Sequence, residues 1–183
     1  MFRKLSTQEL NRKSVDEFRR SEKIPVIIVL DNVRSMNNVG SIFRSSDAFL
    51  LFGIYLCGYT PRPPHRDINK TALGATETVH WEYHENILTA IDLLKKQGYS
   101  IYAVEQAEGS VELQELGLDK NKKIALVFGN EVEGVQDAVI DVCDGCIEIP
   151  QSGMKHSLNI SVAAGIVFWE MFKQLADLEK DRK

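Results

Sequence analysis

Cysteine is scarce: three in 183 residues, Cys57, Cys143 and Cys146. So small and odd a number builds no disulfide framework of the kind that staples small secreted domains, and a reducing compartment, the cytoplasm, is expected. Cys143 and Cys146 form a C-x-x-C. No second Cys pair or His pair lies at zinc-ligand spacing, and the pair precedes an apparent strand instead of opening a helix, so packing is expected there and no metal. Long apolar runs are also missing. No uncharged run approaches the roughly 20 residues that cross a bilayer, and nothing apolar before Pro25 could serve as a signal-peptide core. Charge of one sign is lacking too, with 22 Lys and Arg against 26 Asp and Glu and a net charge of −4. The surface as a whole therefore exerts no pull on nucleic acid, and any such partner must be held by a local patch. Internal repeats, low-complexity tracts and a dividing linker are absent as well, which for this length leaves one compact domain.

Two local basic patches are present. Residues 1–24 carry Arg3, Lys4, Arg12, Lys13, Arg19, Arg20 and Lys23 against Glu9, Asp16, Glu17 and Glu22, and Arg62, His65, Arg66 and Lys70 crowd a Pro-rich loop. Residues 5–22 read as a short polar helix with Ser6 or Thr7 as its N-cap. The expected division is thus a basic helical extension over 1–24 and a main domain over 25–183.

The main domain alternates. Residues 25–30, 53–57, 99–104, 123–128 and 146–149 are short, continuous, apolar or β-branched runs, as strands buried on both faces require. Between and after them lie helix-length segments: 39–52, 86–97 with Ile87, Ala90, Ile91 and Leu94 on one face, 135–142, and 158–180. The pattern predicts an α/β fold with a mostly parallel sheet flanked by helices.

In such a sheet a nucleotide-like ligand sits at the carboxyl ends of the strands. After the first strand runs Asp31-Asn32-Val33-Arg34-Ser35-Met36-Asn37-Asn38-Val39-Gly40-Ser41-Ile42-Phe43-Arg44, a polar loop opening a helix. Gly40 would let the backbone approach a ligand, and Arg44 could grip a phosphate with its planar fork. After the fourth run comes Gly129-Asn130-Glu131-Val132-Glu133-Gly134, neither a dinucleotide fingerprint nor a phosphate-cradling loop. Its two carboxylates repel phosphate and suit a cationic or hydrogen-bond-donating ligand, although capping of the next helix explains them as well. After the fifth run, residues 150–156 lead into Ser157-Leu158-Asn159-Ile160-Ser161-Val162-Ala163, with Ser157 as a candidate N-cap. Ser157 lies in no nucleophile elbow, and none of His65, His80, His84 and His156 stands at a spacing that marks a catalytic triad.

These three segments, in this order, resemble the signature motifs of the SpoU/TrmH family of SPOUT methyltransferases: N-x-G-x-x-x-R at Asn38, Gly40 and Arg44, G-N-E-x-x-G at 129–134, and S-L-N-x-S-x-A at 157–163. The resemblance covers roughly residues 25–172, and 70–75 is similar to the small-residue segment that follows the family's basic loop. It implies a C-terminal deep trefoil knot, S-adenosylmethionine as cofactor, and a homodimer built on the C-terminal helix, for which Ile166, Val167, Trp169, Phe172 and Leu175 offer an apolar surface. Carried over position by position, the cofactor would meet Val104, Glu105, Gly129, Ile149 and Leu158. Asn38, Arg44, Glu131, Ser157 and Asn159 would form the catalytic site.

The implied reaction is methylation of a ribose 2'-hydroxyl in tRNA or rRNA, with tRNA placed ahead, and with Arg62, Arg66 and Lys70 contacting the RNA. Arginine is a poor literal base because it stays protonated to a pKa above about 12. Arg44 is therefore expected to bind the neighbouring phosphate and stabilise the developing alkoxide. The alternatives are the same fold and cofactor with a different RNA acceptor, or a non-catalytic RNA-binding module. A nicotinamide-dependent oxidoreductase would need glycines after the first strand, where Asp31-Asn32-Val33-Arg34 stands instead.

Overall fold

The computed structural model describes residues 2–6, 8–10, 13–155 and 157–176. Its seven strands are β1 (Ile24–Asp31), β2 (Leu51–Cys57), β3 (His80–His84), β4 (Tyr99–Val104), β5 (Val111–Glu112), β6 (Lys123–Phe128) and β7 (Gly145–Glu148), in one sheet ordered β3-β2-β1-β6-β4-β7-β5. Every neighbouring pair is parallel. The helices are α1 (Val15–Arg20), α2 (Met36–Ala48), α3 (Arg66–Ala72), α4 (Ala75–Thr78), α5 (Ile87–Lys96), α6 (Asp137–Ile140) and α7 (Ile160–Leu175).

The sheet is a parallel one because its central strands have no polar face. Alternate residues of β1 enter different cores. Val26, Ile28 and Leu30 pack with Ile42 and Phe43 of α2 and with Val167, Phe168 and Met171 of α7. Ile27 and Val29 pack with Ala90, Ile91 and Leu94 of α5 on the opposite face. Helices on both faces explain why the central strands read as unbroken apolar runs.

All five predicted strands are present, and two more were not legible. β3 is His80-Trp81-Glu82-Tyr83-His84 at one edge of the sheet, and β5 is a two-residue strand at the other. Edge strands are half solvated and short, so their sequences carry no apolar run, and polar residues there discourage pairing with another chain.

Helix boundaries shift where capping chemistry decides them. The helix predicted over 5–22 is confined to α1, which Ser14 and Glu17 close as a reciprocal capping box, while Gln8–Leu10 forms a 3-10 turn. Ser6 accordingly does not cap it, and Thr7 lies outside the described residues. The helix predicted from Val39 starts one turn earlier at Met36, because the Ser35 side chain accepts from the Asn38 N–H, and it ends at Ala48, leaving Leu51 and Phe52 to β2. The segment 135–142 is reduced to α6. In the last helix the cap is Asn159, not Ser157, and of the predicted stretch to 180 only residues up to 176 are described.

The N-terminal segment is fastened to the main domain. Phe18 of α1 is buried in the core, Arg19 donates to the Glu77 carbonyl, and Lys23 donates to the Phe18 and Ser21 carbonyls while lying over the Phe18 ring. Arg3 pairs with Glu9 at 2.8 Å. Several cations of this patch are thus engaged within the chain, and Arg12 lies outside the described residues. Among the described residues no helix is long and apolar enough to cross a membrane.

Candidate active site

The carboxyl ends of β4, β6 and β7 open into a cleft of about 790 Å³. Its walls are Val104 and Glu105 at the end of β4, the turn 129–135 after β6, Ile149 after β7, and 157–160 at the start of α7. All five residues expected to meet a cofactor therefore line one space, together with Glu131, Ser157 and Asn159. Five acidic residues line it, Glu105, Glu131, Glu133, Asp137 and Glu148, and among the described residues no Lys, Arg or His does. Such a wall repels phosphate and favours a cation.

The turn 129–135 is a tightly closed loop. Asn130 is buried, and its Oδ1 accepts from the N–H groups of Val132 and Glu133 at 2.9 and 2.8 Å. The Asn130 and Gly134 backbones exchange both their N–H groups. Gly129 is required by closure, since a Cβ there would lie 1.9 Å from the Gly134 carbonyl carbon and oxygen. Glu105 holds the far side, where its Oε2 accepts from the Val135 N–H at 3.0 Å while its Oε1 accepts from the Gln106 N–H at 2.9 Å. Below the turn, Gln136 donates to Asp31 Oδ2 at 2.8 Å. Burial pushes the Asp31 carboxyl up, against the lowering by Gln136. Asp31 and Gln136 were missed in the sequence because they are 105 residues apart, and Asn130 was read there only as part of its motif.

Glu131 reaches out of this turn to α2. Its carboxylate accepts from the main-chain N–H groups of Arg34 at 3.1 Å and Ser35 at 3.2 Å and from the Asn38 side-chain amide at 3.1 Å. The charge complements the α2 N-terminus, not the helix that follows its own turn. Partial burial pushes its carboxyl up, but the hydrogen bonds from Arg34, its own N–H, Asn38 and Ser35 together hold it below the ordinary glutamate value. Asn38 then passes the chain on, for its Oδ1 accepts from Asn159 Nδ2 at 3.2 Å. Asn159 Oδ1 accepts from the Ser161 N–H and hydroxyl at 2.9 and 2.7 Å.

Two predicted catalytic residues stand outside this network. Ser157 is exposed at the cleft mouth, and Arg44, six residues after Asn38 on α2, points from another side of the helix and is exposed. Gly40, expected to approach a ligand, is buried instead, and a Cβ there would lie 2.2 Å from Thr71 Oγ1 and 2.3 Å from the Ile68 carbonyl oxygen. It serves the close packing of α3 on α2. The two C-x-x-C thiols are packed groups: Cys143 and Cys146 each donate to a backbone carbonyl, and burial pushes Cys143 up to about 11.

Residues 25–169 match the model of the SpoU rRNA Methylase family. The chain belongs to this family. It is 31% identical over 166 residues to a tRNA (guanosine(18)-2'-O)-methyltransferase of Thermus thermophilus, covering 91% of this chain and 84% of that one. Among solved structures it is similar to the A. aeolicus TrmH/SpoU tRNA modifying enzyme, with a TM-score of 0.79, 29% identity, and 91% and 82% of the two chains covered. It is also similar to an AdoMet-bound rRNA methyltransferase from Sinorhizobium meliloti, with a TM-score of 0.77, 28% identity, and 91% and 62% covered.

In this SpoU-family chain the basic loop lies apart from the cleft. Arg62, Arg66 and Lys70 are all exposed, and the Arg62 guanidinium lies 4.1 Å from the centre of the Tyr83 ring. Arg66 opens α3, which His65 caps by accepting from the Asp67 N–H.

Proposed function

We propose that the protein is an S-adenosylmethionine-dependent methyltransferase acting on a ribose 2'-hydroxyl of RNA, with tRNA ahead of rRNA as acceptor. The observation that carries this is the composition of the cleft. A cofactor with a sulfonium and an ammonium group suits a space lined by carboxylates and backbone groups and lacking cations among the described residues, whereas a phosphate-bearing dinucleotide does not. Val104, Glu105, Gly129, Ile149 and Leu158 would hold it. Glu105 acts there mainly by fixing the turn, since both its oxygens are already engaged.

When bound, the cofactor supplies an electrophilic methyl group. The chain's own task is to bring a 2'-hydroxyl into line with it and to keep water out. Glu131, Asn38 and Asn159 form a rigid polar edge beside the cleft, suited to orient the ribose. Ser157 completes that edge at the mouth. Arg44 would hold the adjacent phosphate and stabilise the oxygen as its proton leaves to phosphate or solvent.

Arg44 is exposed and does not line the cleft of its own chain, which supports a homodimer in which it reaches the partner's site. α7 packs along α2, and its Val162, Ile166 and Trp169 form a stripe that is 51%, 40% and 51% exposed. Of the other residues expected on that surface, Val167 and Leu175 belong to the core. The knot implied by the family goes with this reading. The chain leaves β7 near one edge of the sheet and returns to pack α7 against α2 and β1. So do a cytoplasmic location and the division into a 1–24 extension and a 25–183 catalytic domain.

The test is transfer from labelled S-adenosylmethionine to unmodified tRNA and, separately, unmodified rRNA, followed by nucleoside mass analysis. A 2'-O-methyl nucleoside is expected. A methylated base, or no transfer to either RNA by a protein that binds the cofactor, would sink the reading.

A further inference from the structure

The loop after β2 and the edge strand β3 present two tyrosines, Tyr59 and Tyr83, which no motif singled out. The Tyr59 ring is 57% exposed, and the Arg34 guanidinium lies 5.9 Å from its centre. Tyr83 is 36% exposed, lies under Arg62, and donates its hydroxyl to the Gly58 carbonyl at 2.9 Å. Tyr83 thus reaches the residue next to Tyr59, and each ring has a guanidinium over it.

This surface is built stiffly. The Tyr59 N–H donates to Asn32 Oδ1 at 3.2 Å, and the Asn32 N–H donates to the Cys57 carbonyl at 3.3 Å. Asn32 and Gly58 both take left-handed backbone, with φ of 55° and 62°, and a Cβ on Gly58 would lie 2.0 Å from Asn32 Oδ1. The buried Thr60 hydroxyl accepts from the Val33 N–H at 3.1 Å and donates to the Leu30 carbonyl at 3.0 Å. The loops after β1 and β2 are therefore bolted together, although neither contains regular structure. An exposed aromatic held this firmly is ready to stack on a ligand with little ordering left to do.

Arg34 joins this surface to the candidate active site. Its main-chain N–H donates to Glu131, while its guanidinium approaches Tyr59, so the ring stands one arginine side chain from the Glu131–Asn38–Asn159 chain. Arg62, Arg66 and Lys70, with only Asp67 among them, extend the positive charge along the next loop and helix.

We infer that Tyr59 and Tyr83, with Arg34 and Arg62, form a stacking platform for unpaired RNA bases flanking the methylated nucleotide. The inference rests on the RNA methyltransferase reading and narrows it, since stacking needs a splayed, single-stranded segment and a base-paired helix offers none. The aromatic faces accept any base, and the guanidiniums sandwich the base or pair with its phosphate.

The experiment uses a short single-stranded oligoribonucleotide carrying 2-aminopurine and, separately, an A-form duplex of the same sequence. Wild type and Tyr59→Phe should bind the single strand with quenching of the fluorophore, and the duplex should compete at least tenfold more weakly. Tyr59→Ala should lose the quenching and about tenfold in RNA affinity, with S-adenosylmethionine affinity unchanged as the measure of an intact fold. Tyr83→Phe should weaken binding less than Tyr83→Ala. Undiminished quenching and affinity in Tyr59→Ala, or equal binding of duplex and single strand, would overturn the platform while leaving transfer by the wild type to support the methyltransferase reading. Quenching that depends on Tyr59 without any methyl transfer would uphold the platform and remove the methyltransferase reading alone.

Discussion

The side chain of Asn38 donates to Glu131, 93 residues away in sequence, at 3.1 Å, and this bond ties α2 to the turn after β6. A carboxylate accepts and does not donate, so Glu131 fixes which end of the Asn38 amide faces it. That leaves the Asn38 oxygen to accept from Asn159, whose own oxygen is then free for Ser161.

Breaking the chain at its centre should affect chemistry more than cofactor binding, because Asn38 does not line the cleft. Asn38→Ala is expected to lower kcat for methyl transfer on the order of 100-fold, the scale of about 2–3 kcal/mol of lost positioning. S-adenosylmethionine affinity by calorimetry should stay within about twofold. Equal losses in both would contradict the role given to Asn38.

Acid should undo the same link. The hydrogen bonds it accepts depress the folded-state pKa of Glu131, so its contribution to stability is complete above the unfolded value, ~4.3, and is lost as pH falls through the lower folded value. The difference in melting temperature between wild type and Glu131→Gln should therefore be constant from neutral pH down to that range and shrink in stronger acid. A gap that widens on acidification would show that another group governs it.

Two glycines should fail for different reasons. Gly129→Ala forces a Cβ against the Gly134 carbonyl and should cost about 2–4 kcal/mol with loss of cofactor binding. Gly40→Ala clashes with Thr71 and the Ile68 carbonyl and should destabilise to a similar degree, yet the folded fraction should still bind S-adenosylmethionine. Thermal melting with and without the cofactor separates them. Stabilisation of Gly129→Ala by the cofactor as large as that of wild type would rule out the closed turn as part of its site.

Arg44 and the α7 stripe make a joint prediction. Ile166→Glu should convert a dimer to monomer in sedimentation velocity and abolish transfer. Arg44→Ala should abolish transfer with cofactor binding intact. Mixing Arg44→Ala with Asn159→Ala protein should restore part of the activity, since one site of each mixed dimer then receives an intact Arg44 from one chain and an intact Asn159 from the other. A wild type that sediments as a monomer, or no restoration in a mixture shown to exchange subunits, would place Arg44 in the service of its own chain.

The sequence alone determined the layered α/β architecture. Helices cover both faces of a central parallel strand such as β1, so its residues from Ile24 to Leu30 are all apolar and the run announces itself. It also determined the chemical inventory of the motifs, because Asn38, Glu131 and Asn159 are recognisable by type and order. Tertiary structure decided what those residues touch. That Glu131 serves the start of α2 and not its own helix, and that Gly40 admits a neighbouring helix and not a ligand, depend on groups far apart in the chain. Edge strand β3 and the Tyr59–Arg34 pair were hidden for the same reason. Periodicity reports only which side of an element is apolar, and polar contacts between loops leave no period to read.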